Sequence, residues 1–491
     1  MPPRASSLVE SLRAFGYSPA AALADLIDNS ITARASNCWI RFFWAGRDSF
    51  ITVLDDGAGM TEGVLREAMR PGTTSPLEER DRADLGRFGL GLKTASFSQC
   101  RRLTVRSKTT STSPAVRAWD LDYVGQTSEW RLLTQAEPET RSRLNPLDEM
   151  QSGTIVAWEK LDRLVGGAEA NDERAHRRFL SMVDEVEAHL GMVFHRFLSG
   201  ARKRIKISIN GREVTAWDPY MQHHAATQPL ASEKLFLHGS ELQVSPYVLP
   251  HHSRLDDAQS RRGGGPQGWN AQQGFYVYRN NRLLVAGSWL GLGFAKEEHY
   301  KLARIAVDLP NTMDHDWDIN VTKSKAVPPG VLRDDMLRIA RATRDRAVSI
   351  YRHRGQIVAR AASEPWVFVW LRSDTHRKIT YRINREHPLV KGFLASLDNA
   401  SAKSLQMVLR LVEETVPVPT MVVDSSEHPD QQAAPFDRAA SREVLDVMRL
   451  IYQTFRREGI SHELALKRLG VMEPFNRFPE LIANLDVAEN Q

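Results

Sequence analysis

Apolar positions near the start of the chain repeat at helical spacing. Leu23, Ile27 and Ile31 line one face of Ala20–Ala35, a stretch rich in Ala, Leu and Ile that predicts an amphipathic helix. Cys38–Trp44 and the apolar, β-branched Phe50–Leu54 follow, on either side of Ala45-Gly46-Arg47-Asp48, and read as paired strands. Thr61–Met69 suits a short helix and Leu90–Ser98 another, strands are expected near Leu103–Lys108 and Ala115–Tyr123, and Arg174–Phe197 reads as a long helix. Mixed helical and strand periods over residues 1–200 predict a layered α/β unit with helices on one face of a mixed sheet.

A basic run, Arg202-Lys203-Arg204, precedes the alternating segment Ile205–Asn210, which ends in an Asn210-Gly211 turn and is expected to open a second unit over 201–330. Pro246–Gln273 is loop-like and holds Arg261-Arg262-Gly263-Gly264-Gly265-Pro266, a flexible insert or a basic contact. Phe275–Val285 is a hairpin about an Asn-rich turn. Trp317–Lys325 reads as a strand running into two lysines, Lys323 and Lys325; such lysines are more often plain surface charge than a phosphate contact. The remainder, 331–491, reads as mostly helical: an arginine-bearing helix Val331–Ile357, a hairpin near 366–383, helix Leu389–Val416, a linker Pro417–Phe436 and a helical piece Arg442–Leu485. On the arginine-bearing helix, a solvated face and a phosphate-contact ridge both fit.

Three short stretches carry candidate chemistry. Asp25 and Asn29, four apart on the first predicted helix, lie one above the other, where a water-activating base beside a metal ligand would sit; Asp28 falls off that stripe. Asp55 ends an apolar strand and is followed by Gly57 and Gly59. Its carboxylate can accept from an exocyclic amine, the glycines let backbone pass close beneath a flat ring, and adenine fits that description. Gly86, Gly89 and Gly91 free backbone amides at a helix start, and Lys93 adds a charge, as a phosphate site requires. Thr73, Thr74 and Ser75 lie in the breaker-rich Pro71–Asp84. Alone, each stretch has a plainer origin: a solvated helix face, a turn, a loop. The glycines match neither the Walker spacing nor the dinucleotide fingerprint.

Taken together and in this order, the three stretches resemble the ATP-binding domain of the GHKL superfamily, which includes gyrase, the GHKL-class heat-shock chaperones, histidine kinases and MutL. The resemblance implies a Bergerat-type α/β sandwich, an S5-like α/β transducer domain and ATP with Mg²⁺ as ligands. By position it makes Asp25 the general base, Asn29 the Mg²⁺ ligand and Asp55 the adenine contact, with Gly57 and Gly59 beside it. Gly86, Gly89, Gly91, Leu92 and Lys93 become the phosphate lid, and Gly153-Thr154, entering Ile155–Trp158, places Thr154 near the adenine. The family usually carries Glu where this chain has Asp25, so hydrolysis rests on a side chain one methylene shorter. In MutL and gyrase a lysine of the second domain meets the γ-phosphate; spacing from Asn320 favours Lys325 for that role, then Lys323.

The hairpin Tyr278–Leu283 and the run Asn320–Lys325 look most like the MORC branch, in particular the prokaryotic MORC-like or MutL-like ATPases of restriction and phage-defence systems. What that implies is a slow ATPase acting as a conformational switch on DNA or a DNA-bound partner, and a nucleotide-dependent homodimer. A chaperone-like clamp without DNA contact is the alternative. A histidine kinase would need a phosphoacceptor-helix domain ahead of an ATP domain that here is expected to begin the chain. The Asp-Gln-His-Ala metal motif of MutL endonucleases is absent from the sequence, and the cysteines of a zinc-binding CW module are missing.

Composition adjusts this picture only slightly. The length of 491 residues allows two to four domains at roughly 100–200 residues each, and 42% hydrophobic with 25% charged residues is ordinary for a soluble fold. A net charge of +5 permits nucleic-acid contact without requiring it. Cys38 and Cys100 make no metal pattern, no signal-peptide pattern opens the chain, and no apolar run approaches the roughly 20 residues of a membrane span. The expected location is the cytoplasm.

Overall fold

In a computed structural model of the chain, the described residues are 5–14, 16–70, 91–200, 204–313, 316–317, 326–352, 369–375, 378–418, 420–421, 441–457 and, with short breaks, 459–485. They form two compact units, one within 1–348 and one within 349–491.

The first unit begins with α1 (Ala5–Arg13) and α2 (Pro19–Thr32). Ser18 caps α2 by accepting from the Ala21 amide, and Pro19 occupies the first helical position, where its missing N–H costs nothing. Strands β1 (Asn37–Phe43) and β2 (Phe50–Asp55) pair antiparallel. Along β1 the buried Cys38, Ile40 and Phe42 alternate with outward residues, the period of a strand with one covered face. Then come α3 (Glu62–Met69), α4 (Gly91–Gln99), β3 (Arg102–Lys108), β4 (Ala115–Asp120), α5 (Leu121–Thr127), α6 (Pro138–Leu144), β5 (Gly153–Glu159), α7 (Asp162–Val165), α8 (Glu173–Val193), α9 (His195–Leu198), β6 (Lys206–Ile209) and β7 (Arg212–Glu213). The strands make one mixed sheet in the order β4-β3-β5-β2-β1-β6-β7. A continuous core joins its inner face to α2, α4 and α8 through residues such as Leu23, Ile27, Phe97, Val186 and Leu190, while Leu54, Ile155 and Ala157 on the other face pack on Leu144 and Leu147.

Several boundaries differ from those the sequence predicts. The strand expected to continue to Tyr123 stops at Asp120, whose carboxylate accepts from the Asp122 and Tyr123 amides and so starts α5. The long helix predicted to Phe197 breaks at Phe194 into α8 and α9. The segment expected to open a second unit at residue 205 instead supplies β6, which pairs in parallel with β1 and extends the first sheet past residue 200.

The second sheet, still within the first unit, comprises β8 (Gln228–Pro229), β9 (Glu233–Leu237), β10 (Ser240–Val248), β11 (Gly274–Arg279), β12 (Arg282–Ser288) and β13 (Ala303–Leu309), in the order β12-β11-β13-β10-β8 with β9 on β10. The stretch 246–273, read as loop from sequence, contains the end of β10 and two helices, α10 (Asp257–Gly264) and α11 (Gly268–Ala271). A capping box, Asp256 with Gln259, nucleates α10, and that Asp-x-x-Gln signal was there to be read. The hairpin β11–β12 turns at Asn280 and Asn281, with φ of 49° and 70°, the left-handed pair a tight two-residue turn requires. Helix α12 (Arg333–Arg352) is tied to this sheet: Arg338 pairs with Glu233, Arg346 donates to Gln228, and the buried Arg344 lies 3.7 Å from the ring centre of Tyr300. Tyr276, Tyr278 and Leu283 of the second sheet belong to the same core as Phe194 and Phe197, so the two sheets are packed together.

The second unit has hairpin β14 (Trp370–Thr375) with β15 (Lys378–Ile383), and helices Pro388–Ser396, Asn399–Glu414, Ser441–Arg457 and His462–Val471. One helix was expected over Leu389–Val416; Asp398 divides it by capping the amides of Ala400 and Ser401. Val444, Met448, Ile451, Phe455 and Leu469 form a core of their own. Among the described residues no helix is long and apolar enough to cross a membrane.

Candidate functional site

Strand β2 delivers Asp55 to the edge of the first helical layer. The register pairs it with Thr154 on β5. Asp55 is buried; its Oδ1 accepts from the Gly57 amide at 2.9 Å and its Oδ2 from the Ser30 hydroxyl of α2 at 3.0 Å. Burial pushes its pKa above the usual carboxylate value, and the Gly57 amide, the Ser30 hydroxyl and the Thr154 backbone pull part of the way back. A carboxylate offers about four lone-pair sites, so with these three donors in place about one site is left for a further donor. Its neighbour Asp56 is occupied differently. It accepts from the Ser36 and Asn37 amides at 2.7 and 2.8 Å and from the Asn37 carboxamide at 2.7 Å, fastening the loop that follows α2.

The glycines around Asp55 are explained first by the chain itself. Gly59 has φ of 68°, and a Cβ there would lie 1.8 Å from the Lys108 carbonyl oxygen; at Gly153 a Cβ would lie 2.1 Å from the Asp55 carbonyl. Close backbone approach, expected beneath a ligand ring, is thus already required to bring the β2 end against β3 and β5. Thr154 completes the cluster: its hydroxyl is 2.8 Å from that of Ser107, which accepts from the Met60 amide and donates to the Gly153 carbonyl. Ser152 donates to the Gly57 carbonyl at 2.9 Å.

Helix α2 carries the other acids. Asp25 is buried and its Oδ2 accepts from the Tyr17 hydroxyl at 3.0 Å; burial, then the charge of Asp25, drives the Tyr17 pKa strongly upward. Asn29, one turn on, is exposed. Asp28 is buried, with Arg282 of the β11–β12 hairpin donating from Nε to both of its oxygens at 3.1 and 3.0 Å, and Arg282 Nη2 stands 3.8 Å from Asp25 Oδ1.

Of the phosphate-lid residues, Gly91 begins α4, Leu92 packs against the core, and Lys93 is buried, donating from Nζ to the Ala68 carbonyl at 2.9 Å near the end of α3. Burial lowers the Lys93 pKa to about 8. Gly86, Gly89, Thr73, Thr74, Ser75, Lys323 and Lys325 lie outside the described residues.

The structure therefore brings Asp55, Gly57, Gly59 and Thr154 into one cluster and links it to α2 through Ser30, next in sequence to Asn29. Sequence reasoning missed Ser30, Ser107, Tyr17 and Arg282. Ser30 directly follows the Asp28-Asn29 pair and falls on the helix side that faces β2, a signal that was available; Arg282, 254 positions from Asp28, gave none.

The family model described as histidine kinase-, DNA gyrase B- and HSP90-like ATPase matches residues 17–154. The ATPase morc-1 of Caenorhabditis elegans is 31% identical over 90 residues, which is 18% of this chain and 10% of that protein. The DNA mismatch repair protein MutL of Rhodospirillum rubrum is 36% identical over 108 residues, 22% of this chain and 16% of that protein. The chain thus spans well under a fifth of the length of either relative. A crystal structure of the ATPase and transducer domains of DNA topoisomerase II from Balamuthia mandrillaris aligns with a TM-score of 0.37 at 12% identity, over 67% of this chain and 84% of that one. The matched segment, 17–154, contains α2, the β2 end with Asp55, α4 and the Gly153-Thr154 entry to β5. Over that segment the chain is similar to the histidine kinase-, DNA gyrase B- and HSP90-like ATPases, the GHKL family.

Proposed function

We propose that this protein binds ATP with Mg²⁺, hydrolyses it slowly, and uses the cycle as a conformational switch acting on DNA or on a DNA-bound partner. The observation that carries the reading is the Asp55 carboxylate, held by a local donor on each oxygen and able to accept one more, as recognition of an adenine amine demands. Thr154 lies opposite it. Asn29, exposed one turn beyond Asp25, offers a carboxamide oxygen, a hard donor of the kind Mg²⁺ takes in ones and twos beside phosphate oxygens and water. Bound there, the ion would neutralise phosphate charge. Asp25 takes the proton of the attacking water, Lys93 and the backbone from Gly86 to Leu92 hold phosphates, and Lys325, or failing it Lys323, meets the γ-phosphate from the second domain.

DNA enters this reading through the likeness to MutL and morc-1 and the net charge of +5. The α12 arginines lend it little support, because Arg338, Arg344 and Arg346 are engaged within the first unit. Restriction or phage defence as the setting and a nucleotide-dependent homodimer complete the proposal; a chaperone-like clamp without DNA contact is the alternative. Calorimetric ATP titration and phosphate release, with and without duplex DNA, test it. ATP should bind, turnover should be slow, and DNA affinity should fall steeply with salt. ATP binding without any DNA affinity at low salt would favour the clamp, and no ATP binding would end the reading.

A further inference from the structure

Arg282, on the second sheet, stands against both buried acids of α2. It is itself 4% exposed, against 1% for Asp28 and 5% for Asp25. Its direction is fixed from three sides: Nε donates to both Asp28 oxygens at 3.1 and 3.0 Å, Nη1 donates to the carbonyl of its neighbour Leu283 at 3.1 Å, and the paired left-handed residues Asn280 and Asn281 set where β12 begins. Nη2 then lies 3.8 Å from Asp25 Oδ1, while the Tyr17 hydroxyl holds Oδ2 from the other side at 3.0 Å. His189 on α8 stands close enough to feel the Arg282 charge. Burial and that charge lower its pKa to about 4, so near neutral pH it is uncharged and brings no competing cation.

A brace between the sheets needs only the Asp28 contact. The second contact, to Asp25, adds something a brace does not require, since a guanidinium is a planar fork whose far arm is placed once its near arm is fixed. Resting on the reading of Asp25 as the base, we propose that Arg282 is a positioning residue: anchored on Asp28, it orients the Asp25 carboxylate and so makes turnover in the first domain depend on where the second sheet lies. Asp25 is a methylene shorter than Glu, and a base misplaced by about an ångström loses orders of magnitude in rate.

The test measures turnover and affinity for a non-hydrolysable ATP analogue in the full chain. Asp25→Asn is measured first; if it turns over like the wild type, the base assignment falls and the positioning role with it. With Asp25→Asn slow, the informative variant is the double Asp28→Asn/Arg282→Gln, whose amide pair keeps the Asp28 contact hydrogen-bonded and removes one charge of each sign. Positioning predicts wild-type analogue affinity and KM with kcat lower by about tenfold or more. A kcat within about twofold of wild type would make Arg282 a brace alone, and a raised KM at unchanged kcat would move it into binding; either overturns the proposal while leaving the Asp25 result standing. If the double variant does not fold, Arg282→Lys decides. A single ammonium cannot span both acids in a fixed geometry, so kcat should fall at constant KM, and an unchanged kcat overturns the proposal.

Discussion

The two acidic ends of the candidate site are wired in different ways. Asp55 is held by its near neighbours: Gly57 is two residues away, Ser30 lies on the helix against which β2 packs, and Thr154 is its strand partner. Asp25 and Asp28 belong to the same first layer, yet the arginine that faces them comes from the hairpin of the second sheet. On the proposed reading, recognition of the nucleotide falls to the first sheet and its helices, whereas the helix acids are exposed to any motion of the second sheet. In a protein that couples hydrolysis to a change of shape, that is the useful division, because a ligand shifts a conformational equilibrium only by what differs between the two states.

The two ends should separate most widely at Asp25. Asp25→Asn preserves shape and removes the proton acceptor, so turnover should fall by roughly 10² or more while ATP affinity stays close to wild type. Equal turnover would mean the base lies elsewhere. Asp25→Glu restores the residue usual in the family, and a faster enzyme would show that the shorter side chain limits the natural rate.

Next in size is Asp55→Ala, which should weaken ATP binding by roughly 1 to 3 kcal/mol by removing the acceptor for the adenine amine. Asp56→Ala is the paired control. It discards hydrogen bonds to the Ser36 and Asn37 amides and should lower the melting temperature without changing the preference for ATP over GTP. Calorimetry on folded variants reads both. If Asp56→Ala altered base preference and Asp55→Ala did not, the two carboxylates would have to exchange roles.

Ser30 is where the two ends meet, since it sits on α2 and donates to Asp55. Ser30→Ala removes one hydrogen bond to a buried carboxylate, an effect of about 1 to 2 kcal/mol. If the local end governs recognition, the loss should appear in ATP affinity with kcat preserved; a fall in kcat instead would show that the bond serves to hold α2.

How much of this could be read from sequence follows the same division. Helical spacing in Leu23-Ile27-Ile31, the apolar run into Asp55 and the Asn280-Asn281 turn each state their structure within a dozen residues, and each element is found. Asp55 reads as the adenine contact from its place at the strand end; its neighbour Asp56 is held by the Ser36 and Asn37 amides. What failed to show was non-local or a matter of caps. Asp28 fell off the helical stripe and looked unimportant because its partner is 254 positions away; β6 looked like a new unit because its parallel pairing with β1 leaves no mark at short range. Asp120 and Asp398 ended or divided elements through single capping side chains, which outweigh propensity over a turn.

Lys93 offers the smallest and most discriminating test, because it belongs to the first layer with Asp55 and yet its ammonium rests on backbone. In this structure its ammonium is buried on the Ala68 carbonyl, and burial brings its pKa from 10.5 to about 8. The sign is that of a depressed base: between about 8 and 10.5 the unfolded chain holds a proton the folded chain has released, so the Lys93 contribution makes the fold more stable as pH rises through that window. Lys93→Met should flatten that part of the stability profile. Phosphate binding responds in the opposite direction. If the ammonium swings from Ala68 to the nucleotide, ATP affinity should decline modestly as pH is raised through about 8, and Lys93→Met should remove the decline. An affinity flat from pH 7 to roughly 9 would leave Lys93 as an anchor between α4 and α3, with the phosphates held by backbone amides and Mg²⁺.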